Sequence, residues 1–208
     1  MPELDRQSIA RRAFESAGAF LRGHFVYTSG RHGADYLEKF RILEDPRATT
    51  ALAALIAERF APNRPQLVAG PTTGGIILAY EVARQLGVDA VYVERGEGTS
   101  RVLRRGFEIP PGARVLVVDD VVTTGGSLLE TRACIKRAGG DVIGIGVLAD
   151  RTGGRTEAGV PFFACLIVDF PSYPPEACPL CAAGVPVAAP RGSGKVGSPS
   201  ASWGGGRG

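Results

Sequence analysis

Lysine is scarce in this 208-residue chain: Lys39, Lys136 and Lys195 are the only three, the other cations are arginines, and the formal net charge is +3. So small a surplus, with no dense basic stripe interleaved with aromatics, fits small anionic substrates better than an extended nucleic-acid surface. Long apolar runs are also missing. None approaches the roughly 18 residues of a membrane helix, and Glu3, Asp5, Arg6, Arg11 and Arg12 stand where a secretory signal would have its apolar core. A cytoplasmic protein without a membrane partner is the expectation. Histidine is limited to His24 and His32, and cysteine to Cys134, Cys165, Cys178 and Cys181. With no secretory context, a disulfide framework is not expected.

What is present is enough apolar residue, 44%, for one globular domain. Ile9, Ala10, Ala13, Phe14 and Ala17 recur at helical spacing up to Gly18 and predict an N-terminal amphipathic helix. Phe25, Tyr27 and Tyr36 flank a Ser29-Gly30-Arg31-His32-Gly33 turn and predict a hairpin of two short strands. Asp45-Pro46 opens a second helix over about 47–60. From Leu67 to Ala149 the pattern repeats: short β-branched strands at 67–69, 91–93, 115–118 and 142–148, with helices at 76–86 and 128–138 between them. Strands apolar on both faces and joined by helices predict an α/β fold with a central parallel sheet. Ligands of such sheets bind beyond the carboxyl ends of the strands, which directs attention to 70–75, 94–106, 119–127 and 150–154. A last apolar stretch ends at Phe170. Residues 1–190 form the expected single domain, and 191–208, rich in Gly, Ser and Pro, a disordered tail.

The segment Val115-Leu-Val-Val-Asp119-Asp120-Val121-Val122-Thr123-Thr124-Gly125-Gly126-Ser127 carries the chemistry. A buried strand delivers two adjacent carboxylates, and a Thr/Gly/Ser loop then opens into a helix. Gly125 and Gly126 let the backbone approach an anion, and the free N–H groups of a helix N-terminus favour a phosphate. Thr123, Thr124 and Ser127 add hydroxyl donors, and Asp119 and Asp120 can accept from neighbouring sugar hydroxyls. An Asp/Gly pair alone is most often a strand-end turn with an N-cap. Here the run has neither a P-loop lysine nor a dinucleotide fingerprint.

The whole string resembles the phosphoribosyl pyrophosphate (PRPP) motif of type I phosphoribosyltransferases. Three further segments narrow the resemblance to the orotate phosphoribosyltransferase family: the hairpin from Gly23 to Tyr36 with its Ser29-Gly30-Arg31 turn, Gly70-Pro-Thr-Thr-Gly-Gly75 followed by Leu78-Ala79, and Asp150-Arg151. The resemblance runs from about Ala10 to Pro190. It implies the type I phosphoribosyltransferase fold, with a small hood contributed largely by 1–45. The activity implied is transfer of ribose 5-phosphate from PRPP to orotate, giving orotidine 5'-phosphate and pyrophosphate in pyrimidine (UMP) synthesis. The alternatives are another type I phosphoribosyltransferase, for a purine, xanthine or uracil, and a PRPP-sensing regulator.

The same resemblance implies PRPP binding by 119–127, orotate binding by Thr123 and Arg151, and Mg²⁺ held mainly by PRPP and water, so that no protein metal ligands are expected. A guanidinium fork matches the orotate carboxylate, although a lone Asp-Arg pair is ordinarily a surface ion pair. It also implies a homodimer with a mobile loop shared between active sites. Many members carry Lys and His in that loop, whereas this chain has Glu94-Arg95-Gly-Glu-Gly-Thr-Ser-Arg101-Val-Leu-Arg104-Arg105-Gly106. Arg95 is the first candidate there for the pyrophosphate contact, ahead of Arg101, Arg104 and Arg105, and counts with Asp119 and Asp120 as catalytic. Some members also have a lysine within 70–75, which this chain lacks. Cys178 and Cys181 have the spacing of half a zinc site, and Cys134 and Cys165 do not complete it in sequence. The expectation is a Pro-rich turn with two plain thiols, and a solvated His32.

Overall fold

The computed structural model describes residues 3–98 and 100–190. The predicted disordered tail, 191–208, lies outside them. The chain divides into two compact units, one of Met1–Ala19 with Lys39–Asp169, the other of Phe20–Glu38 with Phe170–Gly208.

The first unit is built on a six-stranded sheet. Its strands are β3 (Leu67–Pro71), β4 (Asp89–Arg95), β5 (Arg101–Leu103), β6 (Arg114–Val122), β7 (Asp141–Asp150) and β8 (Phe162–Ile167), in the order β5-β4-β3-β6-β7-β8. All neighbours are parallel except β4 and β5, which form an antiparallel edge hairpin. That hairpin corrects one expectation, because Glu94–Gly106 reads as a charged loop yet Arg101–Leu103 pairs in register with Val93–Arg95. At three residues, Arg101-Val-Leu103, this edge strand is too short to show an alternation beside the charged positions that flank it. The chain winds outward from β3 to β5, then restarts at β6 and winds the other way. The carboxyl ends of β3 and β6 therefore flank the switch point, where open α/β sheets bind their ligands.

The helices are α1 (Glu3–Ser16), α2 (Phe40–Leu43), α3 (Pro46–Phe60), α4 (Gly74–Leu86) and α5 (Gly126–Arg137). Asp45 caps α3, its side chain accepting from the Arg47 and Ala48 amides, with Pro46 in the first turn, where its missing N–H costs nothing. On one face of the sheet, Val115, Val117, Ile145 and Val147 join Leu128 and Ile135 of α5 in a buried core. On the other, β7 presents Gly144 and Gly146, and a Cβ there would come within 2.2 Å of Phe60 and 2.5 Å of Ile56. The alternation Gly144-Ile145-Gly146-Val147 is thus a period-two pattern in which one face is pared down so that α3 can lie close.

The second unit pairs β1 (Phe20–Val26) antiparallel with β2 (His32–Leu37), with a register shift between Arg22 and Phe25. His32 exchanges backbone hydrogen bonds with Tyr173, and the His24 carbonyl accepts from the Ala188 amide, so both strands are stitched to the C-terminal segment. In that segment a 3-10 turn (Pro175–Ala177) leads through the N-cap Cys178 into a short α-helix, α6 (Pro179–Ala182).

Candidate active site

β6 does not stop at the carboxylates. It runs to Val122, so Asp119 and Asp120 are strand residues, 7% and 3% exposed. The Asp119 carboxylate accepts from the Asp120 amide at 2.8 Å and lies 3.4 Å from the Ser127 hydroxyl. Burial first, and then the charge of Asp120, push the Asp119 carboxyl up to about 7. Asp120 is held by two contacts, the Val121 amide at 2.6 Å and Lys39 Nζ at 2.7 Å. Lys39 is a site residue that sequence reasoning missed; it lies between the hairpin and α2, 81 positions before its partner Asp120.

The loop 123–126 then turns into α5 with Gly125 at φ +79°, a left-handed conformation that a side chain would strain. No side chain caps α5. Its first-turn amides therefore face a hollow of about 50 Å³ lined by Asp119 and Val121–Leu128. Thr123 and Thr124 are exposed at its mouth. A larger hollow, about 670 Å³, lies at the opposite end of the sheet among Gln66, Asp89, Phe107 and Pro110. It opens at the amino ends of β3 and β4, whereas open α/β sheets bind ligands beyond the carboxyl ends, so the smaller hollow is the candidate site.

Gly70–Gly75 closes the site from β3. A Cβ on Gly74 would fall 1.9 Å from Asp120 Oδ2, so the carboxylate can occupy its place only because residue 74 is glycine. The Thr72–Thr73 peptide is cis. Across both loops lies Arg101, 6% exposed: its guanidinium donates to the Ser127 hydroxyl at 3.0 Å and to the Thr72 hydroxyl at 3.4 Å, and sits 3.7 Å from Glu130. The Arg101 carbonyl in turn accepts from Arg137. Arg95, the first sequence candidate, is exposed at the end of β4; Arg105 is exposed and paired with Glu94 at 2.8 Å, and Arg104 is exposed. The arginine brought to the loop is Arg101.

Arg151 follows β7 directly, half-buried, its amide donating to the Val122 carbonyl at the end of β6. Asp150 is fully buried and serves the turn, accepting from the Thr152 amide at 2.7 Å and from the Thr156 hydroxyl at 3.3 Å. The structure thus brings Asp119, Asp120, the 123–127 loop, Arg101 and the Arg151 backbone to one rim of the sheet. In the second unit, Arg31 of the hairpin turn donates to the Ser172 hydroxyl at 2.9 Å and to its carbonyl.

A phosphoribosyl transferase domain model matches residues 41–172. Over 183 residues, 88% of this chain and 95% of the relative, the sequence is 47% identical to the orotate phosphoribosyltransferase of Pelotomaculum thermopropionicum. The chain belongs to the orotate phosphoribosyltransferase family. Among solved structures, the orotate phosphoribosyltransferase of Aeropyrum pernix is similar with a TM-score of 0.65 at 31% identity, over 77% of this chain and 93% of that one. The Mycobacterium tuberculosis H37Rv orotate phosphoribosyltransferase in complex with PRPP is similar with a TM-score of 0.58 at 25% identity, over 80% and 96% of the two chains.

Proposed function

We propose that the hollow between β6 and α5 binds PRPP, and that the chain transfers its ribose 5-phosphate to orotate. The observation that carries this reading is the uncapped start of α5, with Gly125 in the left-handed conformation, directly beside two buried carboxylates. The amides of the first turn and the hydroxyls of Thr123, Thr124 and Ser127 take the 5-phosphate, where the helix end favours an anion. Asp119 and Asp120 take the ribose hydroxyls, with Lys39 fixing the orientation of Asp120. Arg101, already bridging Thr72 and Ser127, supplies positive charge towards the pyrophosphate, and Arg95 stands exposed for a bound ligand to recruit.

Mg²⁺ suits this donor set as a metal carried by the substrate. Asp119 Oδ1 and both Asp120 oxygens already hold protein partners, and no three-carboxylate cage occurs among the described residues. Bound with PRPP, it would neutralise charge developing on the leaving pyrophosphate. The bond from C1 of the ribose to pyrophosphate breaks as the orotate nitrogen forms its bond on the opposite face. Catalysis by the chain's own residues is positioning of the sugar and charge stabilisation of the leaving group, with no side-chain nucleophile. Arg151, together with Thr123, is assigned to orotate, its planar fork matching the carboxylate.

A homodimer is the proposed assembly, supported by Ile77 and Tyr80 on α4, which are 43% and 67% exposed. A loop shared between subunits would draw on exposed Glu97 and Gly98, since Arg101 is buried in its own subunit. Among the described residues, no helix is long and apolar enough to cross a membrane.

The test is calorimetry of PRPP with Mg²⁺ on the variant carrying Asp119→Asn and Asp120→Asn. Losing hydrogen bonds from hydroxyls to charged acceptors should weaken PRPP roughly a hundredfold. Parent-like affinity in the folded variant would contradict the ribose role.

A further inference from the structure

The second unit holds a cluster that PRPP chemistry does not use. His24 on β1, His32 on β2, and Cys178 and Cys181 at the two ends of the α6 turn bring one ligand atom each to within 4.8 Å of one another. We propose that these four residues form a zinc site that ties the β1–β2 hairpin to the C-terminal segment. The proposal is independent of how PRPP and orotate are bound.

The distances are those of a tetrahedron around one ion. His24 Nε2 lies 3.7 Å from Cys178 Sγ and 3.6 Å from Cys181 Sγ, and Cys181 Sγ lies 3.3 Å from His32 Nδ1. With Zn–S about 2.3 Å and Zn–N about 2.05 Å, tetrahedral ligands stand about 3.6 Å apart for a sulfur–nitrogen pair and about 3.3 Å for two nitrogens. His24 Nε2 and His32 Nδ1 are 2.9 Å apart, so a small opening of that pair completes the geometry.

The tautomer is set from outside the cluster. His24 Nδ1 is 2.7 Å from the Val185 carbonyl, which can only accept. The proton of neutral His24 therefore sits on Nδ1, and the Nε2 lone pair points at the sulfurs and at His32. A backbone carbonyl that holds the distal nitrogen of a ligating imidazole is the usual outer support of a metal site.

The surroundings are also those of a structural site. His24 and Cys178 are 2% and 3% exposed, so half of the ligand set is sealed from water. Cys178 and Cys181 are unpaired thiols three residues apart, and Pro179 starts the turn that places both on one side. Two imidazoles with two thiolates favour zinc over harder cations such as Mg²⁺ or Ca²⁺. Sequence spacing offers only half of this set, because the other half comes from the hairpin, eight residues apart and at the far end of the chain.

The test uses the full chain, stripped of metal under reducing conditions and titrated with Co²⁺ and then Zn²⁺. The expected result is the intense visible absorption of tetrahedral cobalt with a thiolate charge-transfer band, displaced by about one equivalent of zinc per chain. Cys181→Ser and His32→Ala should each weaken zinc at least tenfold while leaving the α5 phosphate loop intact, read as unchanged PRPP affinity. Zinc should also slow proteolysis within 170–190. A purely octahedral, aquo-type cobalt spectrum in the reduced parent would overturn the site. Zinc binding that leaves proteolysis of that segment unchanged would overturn its role as a tie.

Discussion

Asp119 places a titration inside the substrate's own pH range. Its carboxyl is raised to about 7 by burial and by the neighbouring Asp120 charge, whereas an exposed aspartate titrates near 3.8. Because the folded value lies above the unfolded one, the contribution of this group to folding is complete below the unfolded value and is lost as pH rises through about 7. Ribose hydroxyls and a metal-bearing ligand favour the ionised form, so PRPP binding should release a proton below that pH. Affinity should fall by about tenfold per unit as pH drops from 7 towards 5, and Asp120→Asn should move the midpoint downward. Calorimetry in buffers of differing ionisation enthalpy reads the proton directly, and a flat profile over that range would contradict the assignment.

The arginines give a second contrast at this scale. Arg101→Ala removes a buried guanidinium from the hydroxyls of Thr72 and Ser127 and leaves Glu130 without that partner. The expected loss in kcat/KM for PRPP is about a hundredfold, on the order of 3 kcal/mol for hydrogen bonds to a charged group, while Arg95→Ala costs under tenfold. Equal losses for the two variants would remove Arg101 from its role. The sequence ranks Arg95 first because it follows the strand end; it does not reveal that Arg101, on an antiparallel return strand, is the one turned into the loop. Lys39 was invisible for a related reason, since its partnership with Asp120 spans 81 residues and no local spacing announces it.

At the scale of elements, the strand–loop–helix of 115–137 was legible because its signals are local: a β-branched run, two acids, two glycines, then helical periodicity. The α3 helix likewise declared itself through Asp45-Pro46. The β5 strand did not, being only three residues long, Arg101-Val-Leu103. Nor did the cysteine–histidine cluster, whose halves meet only through the backbone pairing of 24 with 187 and of 32 with 173. Gly144 and Gly146 fall within the strand read at 142–148, and in the structure they are the bed for Phe60 and Ile56. Gly146→Val should therefore overpack this face and cost about 1–3 kcal/mol of stability, while Ile145→Val on the opposite face costs about 1 kcal/mol. Urea unfolding midpoints at constant slope measure both, and a neutral Gly146→Val would show that α3 can move away freely.

For the whole molecule, the two directions of winding from the centre of the sheet put the ends of β3 and β6 side by side, and every residue assigned to PRPP is within a few positions of those ends or folds back onto them. The proposed orotate contact, Arg151, stands one residue beyond β7. The most direct measurement follows orotate loss by ultraviolet absorbance for the parent and for Arg151→Ala, with PRPP and Mg²⁺ present or omitted, beside uracil and purine bases. The account predicts orotate consumption only when both PRPP and Mg²⁺ are present, little turnover of the other bases, and a loss of at least tenfold to a hundredfold in orotate affinity for Arg151→Ala with PRPP affinity nearly unchanged. Turnover of a purine or uracil in preference to orotate, or an equal loss of PRPP and orotate affinity in Arg151→Ala, would contradict it.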